Sequence, residues 1–214
     1  MKRNTTIPQS ALLTAPFTQG GLIIGITGGT GSGKTVLLDV IKEIGGVVID
    51  CDRVYHELLQ TDKQMLAAIE TRFPGVIENG QLQRKKLGAI VFSDAKALKD
   101  LNAITHKAVK REVLKQLSPA PALVGIDAIG LFEGELHSLC DVTVAVTSPE
   151  EIRVKRLMAR DDITEEYARA RIVAQPSKET FISRCNYHLE NDGSLPDFRN
   201  KCLAFLRQLG IIIV

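Results

Sequence analysis

The octapeptide Gly28-Gly29-Thr30-Gly31-Ser32-Gly33-Lys34-Thr35 constrains this chain more than any other stretch. Glycine, four residues, then glycine, lysine and a hydroxyl residue is the P-loop spacing. The run before it, Gly21–Thr27, is apolar and β-branched, as a buried strand would be. After it, Val36, Leu37, Leu38, Ile41 and Ile44 recur at helical spacing until Gly45-Gly46. A strand, a glycine loop and a helix in that order let backbone N–H groups close around a phosphate chain at the positive end of the helix. Lys34 is then placed to reach β- and γ-phosphate oxygens, and the Thr35 hydroxyl to ligate Mg²⁺. An incidental lysine in a glycine-rich turn would need neither flank. This stretch reads as a nucleotide-phosphate site.

Composition narrows what surrounds it. A chain of 214 residues suits one large domain, or a domain with an insert. A net charge of +2 gives no general attraction to nucleic acid or to a membrane surface. Cys51, Cys140, Cys185 and Cys202 lie far apart without metal spacing, so neither structural zinc nor a disulfide framework is expected. Residues 1–20 are polar, interrupted by Pro8 and Pro16, and hold no sustained apolar run, which predicts a loosely ordered extension rather than a signal segment. With no run of membrane-spanning length, a soluble, cytoplasmic protein is expected. The sequence does not give its oligomeric state, for which a monomer is the default expectation.

Further along, Val47-Val48-Ile49 breaks into Asp50-Cys51-Asp52, which predicts a parallel strand delivering two carboxylates at its C-terminal edge. Spaced two apart, they would share a face if the strand stayed regular; alternatively, Asp52 caps the helix that follows. Residues 53–118 read as helix-rich and charged with no strong strand signal, with turns at Gly75 and Asn79-Gly80 and a helix opened by Ser93-Asp94. His106 on that helix is open to a structural or a catalytic reading.

Ala122–Asp127 is a second apolar strand ending in an acid, where a Walker-B-like carboxylate would stand, or a simple turn aspartate. Asp141–Thr147 is a third strand. Ser148-Pro149-Glu150-Glu151 predicts a capping box opening a helix that ends near Arg160. A second helix, capped by Thr164, carries Arg169 and Arg171, and together the pair predicts an arginine-bearing lid. Tyr187–Glu190 is a short strand, and Leu195–Leu209 a final helix. Alternation of strands and helices predicts an α/β fold: a parallel five-stranded sheet between helical layers. Its P-loop core spans 21–52 and 119–214, with a lid at about 156–176 and a helical acceptor domain at 53–118.

The chain lacks a guanine-reading motif; Asn200-Lys201-Cys202-Leu203 has leucine where the acid belongs. It also lacks a transporter-ATPase signature. A helical insert and a late arginine-rich hairpin favour a small-molecule kinase.

At this level of detail the chain resembles the dephospho-coenzyme A kinase family from about Leu22 to Phe205. The carrying stretches are Gly25–Lys34, Val48–Asp52, Gly80–Arg84, Val91–Asp94, Ile104-Thr105-His106, Leu131-Phe132-Glu133, Arg156–Gln175 and Asn191–Ser194. The resemblance implies transfer of the ATP γ-phosphate to the ribose 3′-hydroxyl of dephospho-coenzyme A, the last step of coenzyme A synthesis. It implies Asp52 as catalytic base, with Lys34 and Arg160 also acting on the phosphates. Gly28 to Thr35, Arg160, Arg171 and Asn191 would contact ATP, with Asn191 near the adenine. Asp50, Asp52, His106, Phe132 and Glu133 would face the acceptor, and Thr35, with Asp127, would hold Mg²⁺. Ile129-Gly130, Lys107 and Asn186 depart from the family pattern on the acceptor side. A nucleoside or nucleotide kinase of similar core, and a catalytically weak nucleotide-binding regulator, are the alternative readings.

Overall fold

A computed structural model describes residues 21–118 and 121–211; the expected extension at 1–20 lies outside the described residues. The elements in chain order are β1 (Leu22–Thr27), α1 (Lys34–Glu43), β2 (Val47–Asp50), α2 (Cys51–Thr61), α3 (Lys63–Arg72), β3 (Ile77–Glu78), β4 (Gln81–Leu82), α4 (Arg84–Val91) and α5 (Ala95–Leu117). They continue with β5 (Leu123–Asp127), β6 (Val142–Thr147), α6 (Glu150–Asp161), α7 (Glu165–Val173), α8 (Lys178–Arg184), β7 (Tyr187–Glu190) and α9 (Leu195–Gln208).

The main sheet has the order β2-β5-β1-β6-β7, all strands parallel. The P-loop strand β1 is therefore central. Alternate residues of each strand face opposite layers. Ile24 and Ile26 of β1 pack with α1 and α9 through Leu37, Ile41, Phe198 and Phe205. Val124 and Ile126 of β5 face the other way, into the core formed with α2 to α5. The α6–α7 hairpin has a small core of its own: Val154, Leu157, Ala168 and Ile172. Among the described residues, no helix is long and apolar enough to cross a membrane.

Three local expectations need correction. The 53–118 region is not wholly helical, because β3 and β4 pair as an antiparallel hairpin around Asn79-Gly80. Strands of two residues are too short to carry a readable alternation. The carboxylates of Asp50 and Asp52 do not share a strand face. The strand stops at Asp50, which is itself the helix cap, accepting from Arg53 N at 3.0 Å, and Asp52 falls in the first helical turn. Nor does Ser148 cap α6, whose N-cap is Pro149 without a side-chain hydrogen bond. The Ser148 hydroxyl instead donates to the Asn191 carbonyl at 2.6 Å, a long-range partner that displaces the local cap.

Candidate active site

The P-loop joins the C-terminal end of β1 to α1, so its phosphate cradle opens at the sheet edge where parallel α/β folds collect ligands. Gly33 takes φ +94° as the helix N-cap, a left-handed conformation suited to glycine, and an added Cβ would collide with the Asn191 carboxamide. Lys34 folds back over the loop, its Nζ 3.0 Å from the Gly28 carbonyl and 3.9 Å from Asp127 Oδ1.

Asp127 ends β5, in register with Asp50 on β2 and Ile26 on β1. Burial pushes its carboxyl up to about 6; Lys34 opposes that shift, while Asp50 and Asp52 add to it. Its Oδ1 is buried without a hydrogen-bond partner. An orphaned carboxylate oxygen beside a P-loop lysine is the donor that a hard divalent cation would use. The residues present thus fit a Mg²⁺ ion.

Two adjoining cavities meet at Asp52 and Ile129, which line both. The first is the polar cleft over the P-loop, with Thr30, Gly31, Gly33, Lys34, Thr35, Asp127, Arg156, Arg160, Arg171 and Gln175. The second lies toward α5 and is more apolar, with Tyr55, Leu101, Thr105, His106 and Val109 among its walls. Asp52 is exposed at their junction because the first turn of α2 lifts it off the sheet. Its neighbour Cys51 is buried, and burial pushes that thiol to about 12, so it serves as packing rather than as a nucleophile.

The arginines of the α6–α7 hairpin divide into three groups. Arg169 is held by Glu150, Glu151 and Glu165, away from the cleft. Arg160 and Arg171 both reach the cleft and share Asp161, which accepts from Arg160 Nε at 2.7 Å and from Arg171 Nη1 at 2.5 Å. The Arg160 guanidinium, aided by Arg171, holds the Asp161 carboxyl well below the usual range.

Arg153 and Arg156 form the third group, and sequence reasoning gave them no role. Arg153, only 9% exposed, donates through Nε to the Thr30 carbonyl at 2.8 Å. Arg156 donates to the Gly31 and Ser32 carbonyls and to Asn191 Oδ1. The resemblance places the loop that begins at Asn191 near the adenine. The Asn191 side chain is 3% exposed and donates to the Ser32 carbonyl at 3.0 Å, bracing the P-loop from behind.

On the acceptor side, His106 is brought to the cavity wall, Nδ1 at 3.1 Å from the Glu133 carbonyl oxygen. Phe132 and Glu133 stand just outside that wall. Arg184 pairs with Glu133 and lies over the Phe132 ring, 4.3 Å from its centroid. Asp50 is used as the α2 cap and lines neither cavity. Of the departures from the family pattern, Lys107 is exposed on α5, and Asn186 accepts from Thr143 N and Oγ1 to tie the strands β6 and β7. Only Ile129-Gly130 borders a cavity, with the Ile129 carbonyl accepting from Thr27 Oγ1 at 3.0 Å.

Comparison with known proteins agrees with this architecture. Residues 22–197 match the family model described as CoaE, dephospho-CoA kinase. The dephospho-CoA kinase of Geobacillus kaustophilus is 36% identical over 193 residues, 87% of this chain and 96% of that protein. That of Thermus thermophilus is 36% identical over 193 residues, 88% of this chain and 92% of that protein. A crystal structure from Thermus thermophilus superposes with a TM-score of 0.75 at 34% identity, covering 89% of this chain and 99% of the other. A shikimate kinase from Bacteroides thetaiotaomicron, at TM-score 0.51 and 15% identity over 89% of this chain and 99% of its own, shares the fold alone. The chain belongs to the dephospho-CoA kinase family.

Proposed function

We propose that this chain transfers the γ-phosphoryl group of ATP to the ribose 3′-hydroxyl of dephospho-coenzyme A, releasing coenzyme A and ADP. The observation that carries this reading is the position of Asp52, where a polar cleft built for phosphates opens into a more apolar cavity. A donor in the first and an acceptor in the second would meet at that carboxylate.

Phosphoryl transfer asks the protein for alignment and charge neutralisation rather than covalent chemistry. Asp52 accepts the proton of the 3′-hydroxyl as its oxygen bonds to the γ-phosphorus. The bond from that phosphorus to the β–γ bridging oxygen breaks, and ADP carries the electron pair away. Lys34, Arg160 and Arg171 offset the charge on the equatorial and departing oxygens. Thr35 and Asp127 would hold Mg²⁺, which would offset the negative charge of the phosphate oxygens. Residues 53–118 serve as the acceptor domain, with His106 on its cavity wall, and residues 156–176 as the lid.

The test is product identity. Mg·ATP and dephospho-coenzyme A incubated with the protein should yield coenzyme A phosphorylated at the ribose 3′ position, resolved by phosphorus NMR. Phosphate at another hydroxyl, or on no acceptor, contradicts the reading.

A further inference from the structure

Gln175, just after α7, lines the nucleotide cleft with Lys34, Arg160 and Arg171. Its Oε1 accepts from Thr30 N at 2.7 Å and, more weakly, from Arg153 Nη2 at 3.4 Å. Arg153 Nε meanwhile donates to the carbonyl of the same Thr30. Both groups of one P-loop residue are thereby held by side chains 145 and 123 residues away in sequence.

This arrangement fixes which way the Gln175 amide faces. A backbone N–H and a guanidinium can only donate, so the oxygen must be the end turned to them. Rotating the amide would place three donors against one another. Nε2 is therefore the other end of a side chain that borders a cleft lined by lysine and arginine. Among the described residues, no protein acceptor engages it. A neutral donor with two hydrogens, its rotamer already fixed, suits an anionic oxygen at little entropic cost.

We propose that Gln175 is a nucleotide-binding residue, presenting Nε2 to the triphosphate oxygens of ATP while Oε1 stays on Thr30 and Arg153. The proposal rests on the reading of this cleft as the ATP site. It separates Gln175 from Arg153, whose guanidinium is turned to the P-loop backbone.

Two variants distinguish a phosphate donor from a structural brace. Gln175→Glu keeps an oxygen for Thr30 N and Arg153 but replaces the donor with negative charge. Gln175→Ala removes brace and donor together. Mg·ATP affinity by titration calorimetry, with thermal midpoints as the fold control, gives the readout. The expected order is wild type, then Gln175→Ala about tenfold weaker, then Gln175→Glu weaker still. Gln175→Glu near wild-type affinity, with Gln175→Ala the worse of the two, overturns the proposal. Should Gln175→Ala fail to fold, Gln175→Glu at wild-type affinity overturns it by itself. Because the assay needs no acceptor, a wrong variant order sinks only this proposal. Wild-type protein that binds no Mg·ATP sinks the reading of the cleft and the proposal with it.

Discussion

Asp127 Oδ1 stands 3.9 Å from Lys34 Nζ, yet it is buried with no hydrogen-bond partner. The ion pair is long, and the low-dielectric surroundings win: the carboxyl is pushed up to about 6. Protonation is thus easier in the folded chain than in the unfolded one. The sign follows directly. Asp127's contribution to stability is greatest in acid and is lost as pH rises from about 4 to about 6. A bound cation should reverse that preference by favouring the carboxylate. Mg·ATP affinity is therefore expected to fall below about pH 6 in the wild type, and to fall less steeply in Asp127→Asn. Calorimetric titrations from acid to neutral pH check this difference, and parallel profiles for the two proteins would contradict it.

Among the described residues, the Lys34 ammonium has as polar partners the Gly28 carbonyl and Asp127, and it lines the cleft rather than the core, so truncating it removes charge from the cleft. Lys34→Ala is expected to remain folded and to lose at least about 100-fold in kcat, the scale of one lost transition-state charge contact. A smaller loss confined to KM would mean that the lysine serves binding alone. Steady-state kinetics with ATP as the varied substrate separates the two cases.

Asn191 makes a different prediction because it braces the loop rather than facing the cleft. Replacing it with alanine leaves the buried Ser32 carbonyl only the longer hydrogen bond from Arg156, at 3.4 Å, and leaves a second Arg156 donor unmet. Each unmet group costs about 1–3 kcal/mol. Asn191→Ala should therefore unfold at clearly lower denaturant, with saturating Mg·ATP recovering part of the loss through binding to the folded state. Stability equal to wild type in urea would show that the brace is dispensable.

The strand–loop–helix around the P-loop was readable because it is local: glycines, lysine, threonine and both flanking elements lie within one short stretch. The five strands of the sheet were readable for a related reason, since each is at least four residues long and all but Tyr187–Glu190 are mostly apolar or β-branched. What escaped depends on distant partners. Nothing near Arg153 says that its guanidinium meets the Thr30 carbonyl, and nothing near Asn191 says that it supports Ser32. Ser148 had a good local cap signal, and the Asn191 carbonyl claimed its hydroxyl instead. The choice between Asp50 and Asp52 as helix cap turned on where β2 ends, which periodicity does not locate to one residue. The β3–β4 hairpin offered Asn79-Gly80 as a turn, but its strands were too short to announce themselves.

The central claim is that Asp52 receives the acceptor proton at the meeting point of the two cavities. The most direct measurement is ADP release with Mg·ATP, comparing wild type with Asp52→Asn across dephospho-coenzyme A, uridine, cytidine and common nucleoside monophosphates. Release only with dephospho-coenzyme A, reduced at least about 100-fold in kcat by Asp52→Asn with ATP affinity intact, is the predicted result. Asp52→Asn turning over like wild type, or another acceptor being preferred, would contradict it.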